Sequence, residues 1–262
     1  MSENAENTRE KENGGNSKNH QEYDIIMENV KKSFGSNEVL KDINLKLPKG
    51  NNIVILGKSG SGKSVLTKCI VRLVEPDGGK IIVQNTDMLQ LDSADLDEGR
   101  TNVGYLFQGG ALYDSMTVRE NLAFPVRRRM AGKNPKEVEH LVQEALGYVG
   151  LKDAIDKMPA ELSGGMKKRI GLARTLILKP SIILYDEPTT GLDPVTSAEI
   201  SELILNIQDV YGASAIVVTH DMKCARLVSN KVFILRKGVL DVSGTYEELE
   251  NTDDEEVKAY FH

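Results

Sequence analysis

The sequence has few cysteines, no excess of positive charge and no long hydrophobic run, and each of these shortages excludes a class of protein. The two cysteines, Cys69 and Cys224, lie in apolar segments without metal-ligand spacing, which predicts buried thiols in a reducing cytosol. No apolar stretch approaches the ~18 residues that cross a bilayer, and the N-terminus lacks the apolar core of a signal peptide. We therefore expect a chain that neither spans a membrane nor is exported.

The composition and length indicate one large globular domain, and the charge balance bears on its partners. Acidic residues outnumber basic ones by 39 to 33, and this net charge of -6 predicts no nucleic-acid partner. With 262 residues, 40% of them hydrophobic, the chain is long enough for one large domain. Residues 1–22 are almost all polar or charged and predict a disordered tail, whereas residues 23–262 predict a single catalytic unit without internal repeats.

Apolar runs alternate with helical patterns along the globular part, and this order predicts an α/β fold. Residues 110–161 lack strand-like runs and carry helical patterns, which predicts an inserted helical subdomain over about residues 110–170. Lys237-Gly238, between two apolar runs, predicts a hairpin, and Thr245 with Glu248 predicts a helix capping box. Three runs are uninterrupted, as in strands buried on both faces of a mostly parallel sheet: Ile53–Leu56, Ile182–Tyr185 and Ala215–Val218.

A glycine-rich segment with the pattern of a phosphate-binding loop follows the first of these runs. Glycines let successive backbone N–H groups face one anion, and the helix predicted to start after Gly62, with apolar residues from Val65 to Leu73, adds positive potential. Lys63 can reach the β and γ phosphates, and the Ser64 hydroxyl can bind Mg²⁺. The predicted ATP-binding residues of the loop are Gly57, Lys58, Ser59, Gly60, Ser61, Gly62, Lys63, Ser64 and Val65.

Two carboxylates end the second buried run, and a histidine follows the third. The carboxyl ends of parallel strands open onto the ligand crevice, so Asp186 is predicted to bind Mg²⁺ and Glu187 to orient and deprotonate a water molecule. His220 follows the strand that ends at Thr219 and is predicted to face the same crevice. Leu162-Ser163-Gly164-Gly165-Met166 is predicted to cap a helix spanning Met166 to Leu178, whose N-terminus offers N–H groups to an anion.

With these motifs together, the segment Tyr23 to His262 resembles the ATP-binding cassette (ABC) family. The Ser-Gly-Gly run looks like the family signature, Gln108 like the Q-loop glutamine, Gly191-Leu192-Asp193 like the D-loop, and His220 like the switch histidine. The resemblance implies a P-loop NTPase core, an N-terminal antiparallel β subdomain and the inserted helical subdomain.

The resemblance also implies the roles of single residues. Lys63, Glu187 and His220 would be catalytic, and Ser64, Gln108 and Asp186 would bind the metal. Gln108 would also bind ATP. Phe34 would stack on adenine, and a second copy of the chain would supply Ser163, Gly164, Gly165 and Asp193 to the nucleotide in trans. ATP and Mg²⁺ are the expected cofactors.

Within the family, the stretch Phe107 to Val118 and the following Glu120 to Pro125 are most similar to the ATPase of Mla-type phospholipid transporters, which work with MCE proteins. That likeness implies a peripheral protein on the cytoplasmic face of the inner membrane. It also implies two permease subunits and an MCE-domain lipid-binding protein as partners.

Other functions remain as alternatives. The same ATPase could serve a transporter of a nutrient or drug, and only the Q-loop stretch separates these cargoes. Chromosome-maintenance ATPases need a long heptad insertion, and translation-associated members carry two cassettes, so both are disfavoured here. A simple switch or kinase would not need the signature run. The basic runs Arg127–Arg129 and Lys167–Arg169 are predicted to be surface charge. The alternatives are that the first run contacts lipid headgroups or an acidic permease surface, and that one residue of the second run is directed toward the nucleotide.

Overall fold

A computed structural model describes residues 22–130 and 132–261, and the predicted disordered tail lies outside them except for Glu22. Ten strands in the described residues form one sheet. The strands are β1 (Tyr23–Phe34), β2 (Asn37–Pro48), β3 (Asn52–Leu56), β4 (Gly78–Val83), β5 (Thr86–Asp87), β6 (Val103–Leu106), β7 (Ile182–Asp186), β8 (Ser214–Thr219), β9 (Lys231–Arg236) and β10 (Val239–Gly244).

The sheet has a parallel part and an antiparallel part, in the order β5-β4-β1-β2-β10-β9-β3-β8-β7-β6. Parallel pairing joins β9, β3, β8, β7 and β6, whereas β1 pairs antiparallel with both β2 and β4. This division confirms the predicted core with a mostly parallel sheet and an N-terminal antiparallel region.

Strand β3 shows why the uninterrupted apolar runs form central strands. Ile53 and Ile55 point into the core on the side of the helix that follows the glycine-rich loop, and Val54 and Leu56 point into the core on the opposite side. All four side chains are at most 1% exposed. Because both faces of the strand are covered, an alternating pattern would have buried polar groups without partners.

The helices begin where the sequence offers capping groups. Thr117 and Asn134 each make a full capping box, with Glu120 and Glu137 respectively, and Asp193 accepts hydrogen bonds from two N–H groups of the first turn that it caps. The helices in the described residues are α1 (Lys63–Ile70), α2 (Leu96–Gly99), α3 (Val118–Arg129), α4 (Pro135–Tyr148), α5 (Gly164–Leu176), α6 (Pro194–Tyr211), α7 (Met222–Val228), α8 (Tyr246–Glu250) and α9 (Glu255–Phe261).

Helices α3 and α4 pack with α5 around a hydrophobic cluster of their own. Leu122 of α3, Val142 of α4 and Ile170 of α5 are all fully buried in it. Apart from residue 131, residues 110–161 contain no strand, as the helical patterns there predict.

Two predicted helix boundaries differ from the structure. Helix α1 ends at Ile70, and Leu73 is half exposed beyond it, because Arg72 takes a left-handed backbone conformation (φ 50°) that no helix continues. Helix α5 spans Gly164–Leu176, so it starts and ends two residues before the predicted limits. Helix α5 starts earlier because Ser163 already satisfies the N-cap position.

The C-terminal predictions agree with the structure. Strands β9 and β10 form the hairpin, and Lys237 and Gly238 at its tip have φ angles of 51° and 83°, as a two-residue turn of type I′ requires. Thr245 and Glu248 make the predicted capping box of α8. No helix in the described ranges has the length and hydrophobicity needed to cross a membrane.

Candidate active site

Parallel strands bring the predicted catalytic segments to one edge of the sheet. Leu56, the last residue of β3, pairs with Thr219 at the end of β8, and Asp186 of β7 pairs with Val218. The glycine-rich loop, the two carboxylates and His220 follow these strand ends. The topology therefore places side chains that are more than 100 residues apart in sequence at the same crevice.

Two glycines allow the loop that leads from β3 into α1. Gly62 has a φ of 103°, and a Cβ atom there would lie 2.7 Å from the Val39 side chain. A Cβ atom on Gly57 would lie 2.5 Å from the Ser61 hydroxyl and 2.9 Å from the carbonyl of Leu235. Side chains at either position would force the loop open, so the glycines are required for its shape.

Lys63 is buried at the base of this loop, with 6% of its surface exposed. Its ammonium donates to the carbonyl of Gly57 at 2.8 Å and to that of Lys58 at 3.3 Å. It also lies 3.2 Å from Oε1 of Glu187. The cation is thus held between the loop and the carboxylate.

Glu187 is the centre of a hydrogen-bonded group. Its Oε2 atom lies 2.8 Å from Nδ1 of His220 and accepts a hydrogen bond from the Thr190 hydroxyl at 3.0 Å. His220 has 62% of its side chain exposed, whereas Glu187 has 9%. The carboxylate therefore has a buried cationic neighbour on one oxygen and a solvent-accessible imidazole on the other.

Ser64 and Asp186 form the candidate metal site. The Ser64 hydroxyl donates to Oδ1 of Asp186 at 2.6 Å, and the Tyr105 hydroxyl donates to Oδ2 at 3.2 Å. Burial raises the pKa of Tyr105 above its ordinary range, so this hydroxyl keeps its proton. A hydroxyl and a carboxylate beside a phosphate-type loop are hard oxygen ligands, and this donor set fits Mg²⁺.

A cavity of about 590 Å³ opens over the loop. Gln108 lines it, and so do Phe34, half exposed at its rim, and Val39, which the sequence reasoning missed. Its other lining residues are Ser59, Gly60, Gly62, Lys63, Ser64, Val65, Glu187 and His220. Most of the predicted ATP-binding residues are therefore brought together.

The predicted trans residues lie apart from this cavity. None of Ser163, Gly164 and Gly165 is among its lining residues in the described chain. Ser163 instead caps α5 by accepting a hydrogen bond from the Met166 N–H at 3.2 Å. Asp193 caps α6, and its hydrogen bonds from Thr196 lower the pKa of its carboxyl.

Lys168 contradicts the prediction that the whole Lys167–Arg169 run is surface charge. Lys168 is 6% exposed, and its ammonium donates to the carbonyls of Gln108 and Glu187. It lies on the buried stripe of α5 with Leu172 and Leu176, at helical spacing that could have indicated its burial. The Arg127–Arg129 run, in contrast, is exposed as predicted.

Residues 40–190 match the family model described as "ABC transporter". That match covers more than half of the chain. The chain belongs to the ABC transporter family. The predicted class of enzyme, an ABC-type ATPase that uses ATP and Mg²⁺, is confirmed at the level of this family.

Curated relatives share the sequence over most of this chain. It is 42% identical over 238 residues to "Probable ribonucleotide transport ATP-binding protein mkl" of Mycobacterium tuberculosis, which covers 91% of this chain and 66% of the relative. It is 38% identical over 227 residues to the methionine import ATP-binding protein MetN of Desulfitobacterium hafniense, covering 85% of this chain and 66% of MetN. The chain thus spans slightly less than two thirds of the length of these relatives.

Solved structures agree with the ABC ATPase fold. The ATP-binding cassette MJ0796, in a dimeric post-hydrolysis state with ADP and Pi, is 30% identical, has a TM-score of 0.79 and covers 85% of this chain and 98% of its own. CbiO1 of Clostridium perfringens, part of the transporter complex cbiONQ, is 28% identical with the same TM-score, over 92% of this chain and 96% of its own.

The sequence reasoning missed three residues that touch the candidate catalytic groups. Tyr105 donates to Asp186, Thr190 donates to Glu187, and Lys168 binds the Glu187 carbonyl. Tyr105 and Thr190 lie close in sequence to predicted site residues but carry no motif of their own. Their contacts depend on how β6 and the turn after β7 are placed, which residue spacing does not give.

Proposed function

We propose that this chain is the ATP-hydrolysing subunit of a membrane transporter. The observation that carries the proposal is the convergence of Lys63, Glu187 and His220 beside the Ser64–Asp186 pair, in one cavity over a phosphate-type loop. Cations, a proton acceptor and metal-binding oxygens are the groups that phosphoryl transfer to water requires.

Each residue would have a defined part in hydrolysis. Lys63 would turn from Glu187 toward the β and γ phosphates, which frees the carboxylate. Glu187 would then accept a proton from the attacking water, and His220 would hold the carboxylate through Oε2. Ser64, Asp186 and Gln108 would hold Mg²⁺, which neutralises charge on the phosphates when bound. Phe34 at the cavity rim would stack on adenine.

A second copy of the chain would complete the site. The N-terminus of α5, capped by Ser163, presents N–H groups and positive potential outside the cavity of its own chain. In a head-to-tail dimer, Ser163, Gly164 and Gly165 of one subunit would face the γ phosphate bound by the other, with Asp193 beside them. The dimeric relative MJ0796 supports this arrangement.

Membership of the ABC transporter family favours transport as the process that ATP hydrolysis drives. The chain would bind two permease subunits at the cytoplasmic face of the inner membrane, with the loop after Gln108 as the contact. For the cargo we propose a phospholipid, supplied by an MCE-domain protein, on the likeness of the Phe107–Val118 stretch to Mla-type ATPases. The two relatives described above, named for ribonucleotide transport and methionine import, favour a second candidate, a transporter of a polar solute.

A pull-down from detergent-solubilised native membranes tests these proposals, with mass spectrometry of the co-purified proteins and lipids and an untagged strain as the control. Recovery of a permease with an MCE protein and bound phospholipid would support the lipid cargo. A permease with a solute-binding protein would contradict that cargo and support the second candidate. No membrane partner at all would contradict the transport function.

A further inference from the structure

Lys168 is a buried charge that the hydrolytic roles described above do not use. It lies in the second turn of α5, and its acceptors in the described part of the chain are two neutral carbonyls, those of Gln108 and Glu187 (3.1 Å for the latter). Burying an ammonium costs free energy unless its hydrogen bonds compensate. The charge lies between two segments of the candidate active site, which indicates that its hydrogen bonds to them have a role there.

The electrostatic surroundings act on this ammonium in opposite directions. Burial lowers the pKa of Lys168, whereas the charges of Asp186 and Glu187 raise it. An apolar side chain of similar length would fill the same space without this cost. The ammonium nevertheless lies between two backbone segments and donates hydrogen bonds to both, at the carbonyls of Gln108 and Glu187.

The backbone of Glu187 has a conformation that needs support. Its φ is 52°, in the left-handed region that non-glycine residues rarely adopt. The Glu187 N–H donates to the Val218 carbonyl at 2.9 Å, and the Glu187 carbonyl accepts from Lys168 and from the Thr190 N–H at 3.3 Å. The direction of this peptide determines where the Glu187 carboxylate lies relative to Lys63.

The Gln108 loop is packed against the same turn of α5. A Cβ atom on Gly171 would lie 2.8 Å from the Gly110 carbonyl, and one on Gly110 would lie 3.1 Å from the Lys167 carbonyl. The loop and the helix are therefore in backbone contact next to Lys168. One ammonium links this loop to the residue that carries the candidate general base.

We propose that Lys168 is a positioning residue for hydrolysis. Its ammonium fixes the carbonyls of Gln108 and Glu187 relative to α5, and thereby holds the Glu187 carboxylate in place over the phosphate loop. A movement of the Gln108 loop would therefore move the Lys168 ammonium, and with it the backbone of Glu187. The inference rests on the proposed function, because it takes Glu187 to be the group that activates water.

The test compares Lys168→Met with Lys167→Met in the full chain. Lys167 is the matched control, because it is the neighbouring lysine on the same helix and its ammonium makes no hydrogen bond among residues 22–130 and 132–261. We expect Lys168→Met to lower kcat for ATP by about 10- to 100-fold, the effect of losing hydrogen bonds from a charged donor. The Kd for ATP, measured by calorimetry, should stay within about threefold, because the ammonium of Lys168 binds only the backbone carbonyls of Gln108 and Glu187 and donates no hydrogen bond to the described residues of the phosphate loop.

Two further variants separate positioning from loss of stability. Ile170→Val removes one buried methyl group from the same helix and should lower Tm without changing kcat. Lys168→Arg keeps a charged donor and should recover part of the rate that Met loses, which a purely structural role would not require. Lys168→Gln, with a shorter and neutral side chain, serves if the Met variant does not fold, and we expect a reduced kcat for it as well.

The outcomes are distinguishable. A wild-type chain without ATPase activity, alone or with its membrane partners, would contradict the proposed function itself. An active wild type together with a folded Lys168→Met or Lys168→Gln variant whose kcat stays within twofold would overturn the positioning role alone. A kcat that falls equally in Ile170→Val at equal loss of Tm would overturn it too.

Discussion

The Nζ atom of Lys63 lies 3.2 Å from Oε1 of Glu187, and neither side chain is more than 9% exposed. A buried cation and carboxylate at this distance compensate each other, so removing one leaves the other without its partner. The consequence is that substitutions at the two residues are not independent. Each must be tested with a readout of nucleotide binding as well as turnover.

Glu187→Gln is expected to retain ATP binding and to lose turnover by ~10²-fold or more, because the amide keeps the shape of the side chain but cannot accept a proton. Binding is measured by calorimetry, and turnover by phosphate release. Glu202→Gln, at an exposed position of α6, is the matched control and should behave as wild type. Normal turnover in the Glu187 variant would refute the role of this carboxylate.

Lys63→Ala is expected to weaken ATP binding by at least ~10-fold, because it removes the ammonium that would contact the phosphates. It also leaves Glu187 without its cation inside the protein. Lys68→Ala, on the last turn of the same helix α1, is the control for losing a lysine from that helix. Unchanged ATP affinity of the Lys63 variant by calorimetry would exclude the phosphate-loop interpretation.

Residue spacing predicted the core of this molecule well for a physical reason. Strands buried on both faces need uninterrupted apolar residues, and caps need Ser, Thr, Asp or Asn, so β3 and the capping box at Thr245 could be predicted from the local sequence. The sequence also predicted that Glu187 lies at the carboxyl end of a parallel strand, at the ligand crevice, whereas its distance of 3.2 Å from Lys63 is a finding of the structure.

The residues whose roles the sequence did not predict make contacts that depend on how distant segments are placed in the fold. Lys168 was misread because a run of three basic residues is usually solvated, whereas the Gln108 loop covers this one. Tyr105 was missed because nothing in its segment marks a hydroxyl that reaches a carboxylate 81 positions away.

Tyr105→Phe is expected to raise the Mg²⁺ concentration that supports half-maximal nucleotide binding by up to ~10-fold. The phenol holds Oδ2 of Asp186 while Ser64 holds Oδ1, and partners of a metal-binding carboxylate orient it. Mg²⁺ titration of ATP binding by fluorescence or calorimetry measures the shift. Tyr113→Phe, an exposed tyrosine, is the control, and equal Mg²⁺ requirements in the two variants would contradict the role of Tyr105.

Both cysteines are expected to resist thiol reagents in the native protein. Burial raises the pKa of Cys69 and of Cys224 to about 12, so at pH 8 neither forms the reactive thiolate. Labelling with a thiol-specific chromogenic disulfide should be negligible before unfolding, and should reach two per chain in denaturant. Rapid labelling of the native protein would contradict the burial of the thiol that reacts.

The raised pKa values of the two thiols also determine the direction in which pH changes the free energy of unfolding. In the unfolded chain the thiols titrate near ~8.5, so between that pH and about 12 the unfolded state binds fewer protons than the native state. The free energy of unfolding should therefore decrease as the pH rises above ~8.5. Substituting both cysteines with alanine should reduce this dependence, which urea titrations at several pH values would measure.

Mixed dimers test whether the signature run acts in trans. In a head-to-tail dimer of a Lys63→Ala chain with a Ser163→Arg chain, one site carries both lesions and the other is intact. In a dimer of wild type with a chain that carries both substitutions, each site has one lesion. The two dimers contain the same substitutions in the same number, so only the arrangement differs.

With dimers isolated by two different affinity tags, we expect the first pairing to occlude about one nucleotide per dimer and the second to occlude none. The reason is that Ser163 caps a helix whose N-terminus lies outside the cavity containing Lys63 of its own chain. If a single chain instead supplied both groups to one nucleotide, the result would reverse, since only the second dimer would then keep an intact site. Nucleotide retention after rapid gel filtration distinguishes the two, and it does not require both sites to hydrolyse ATP.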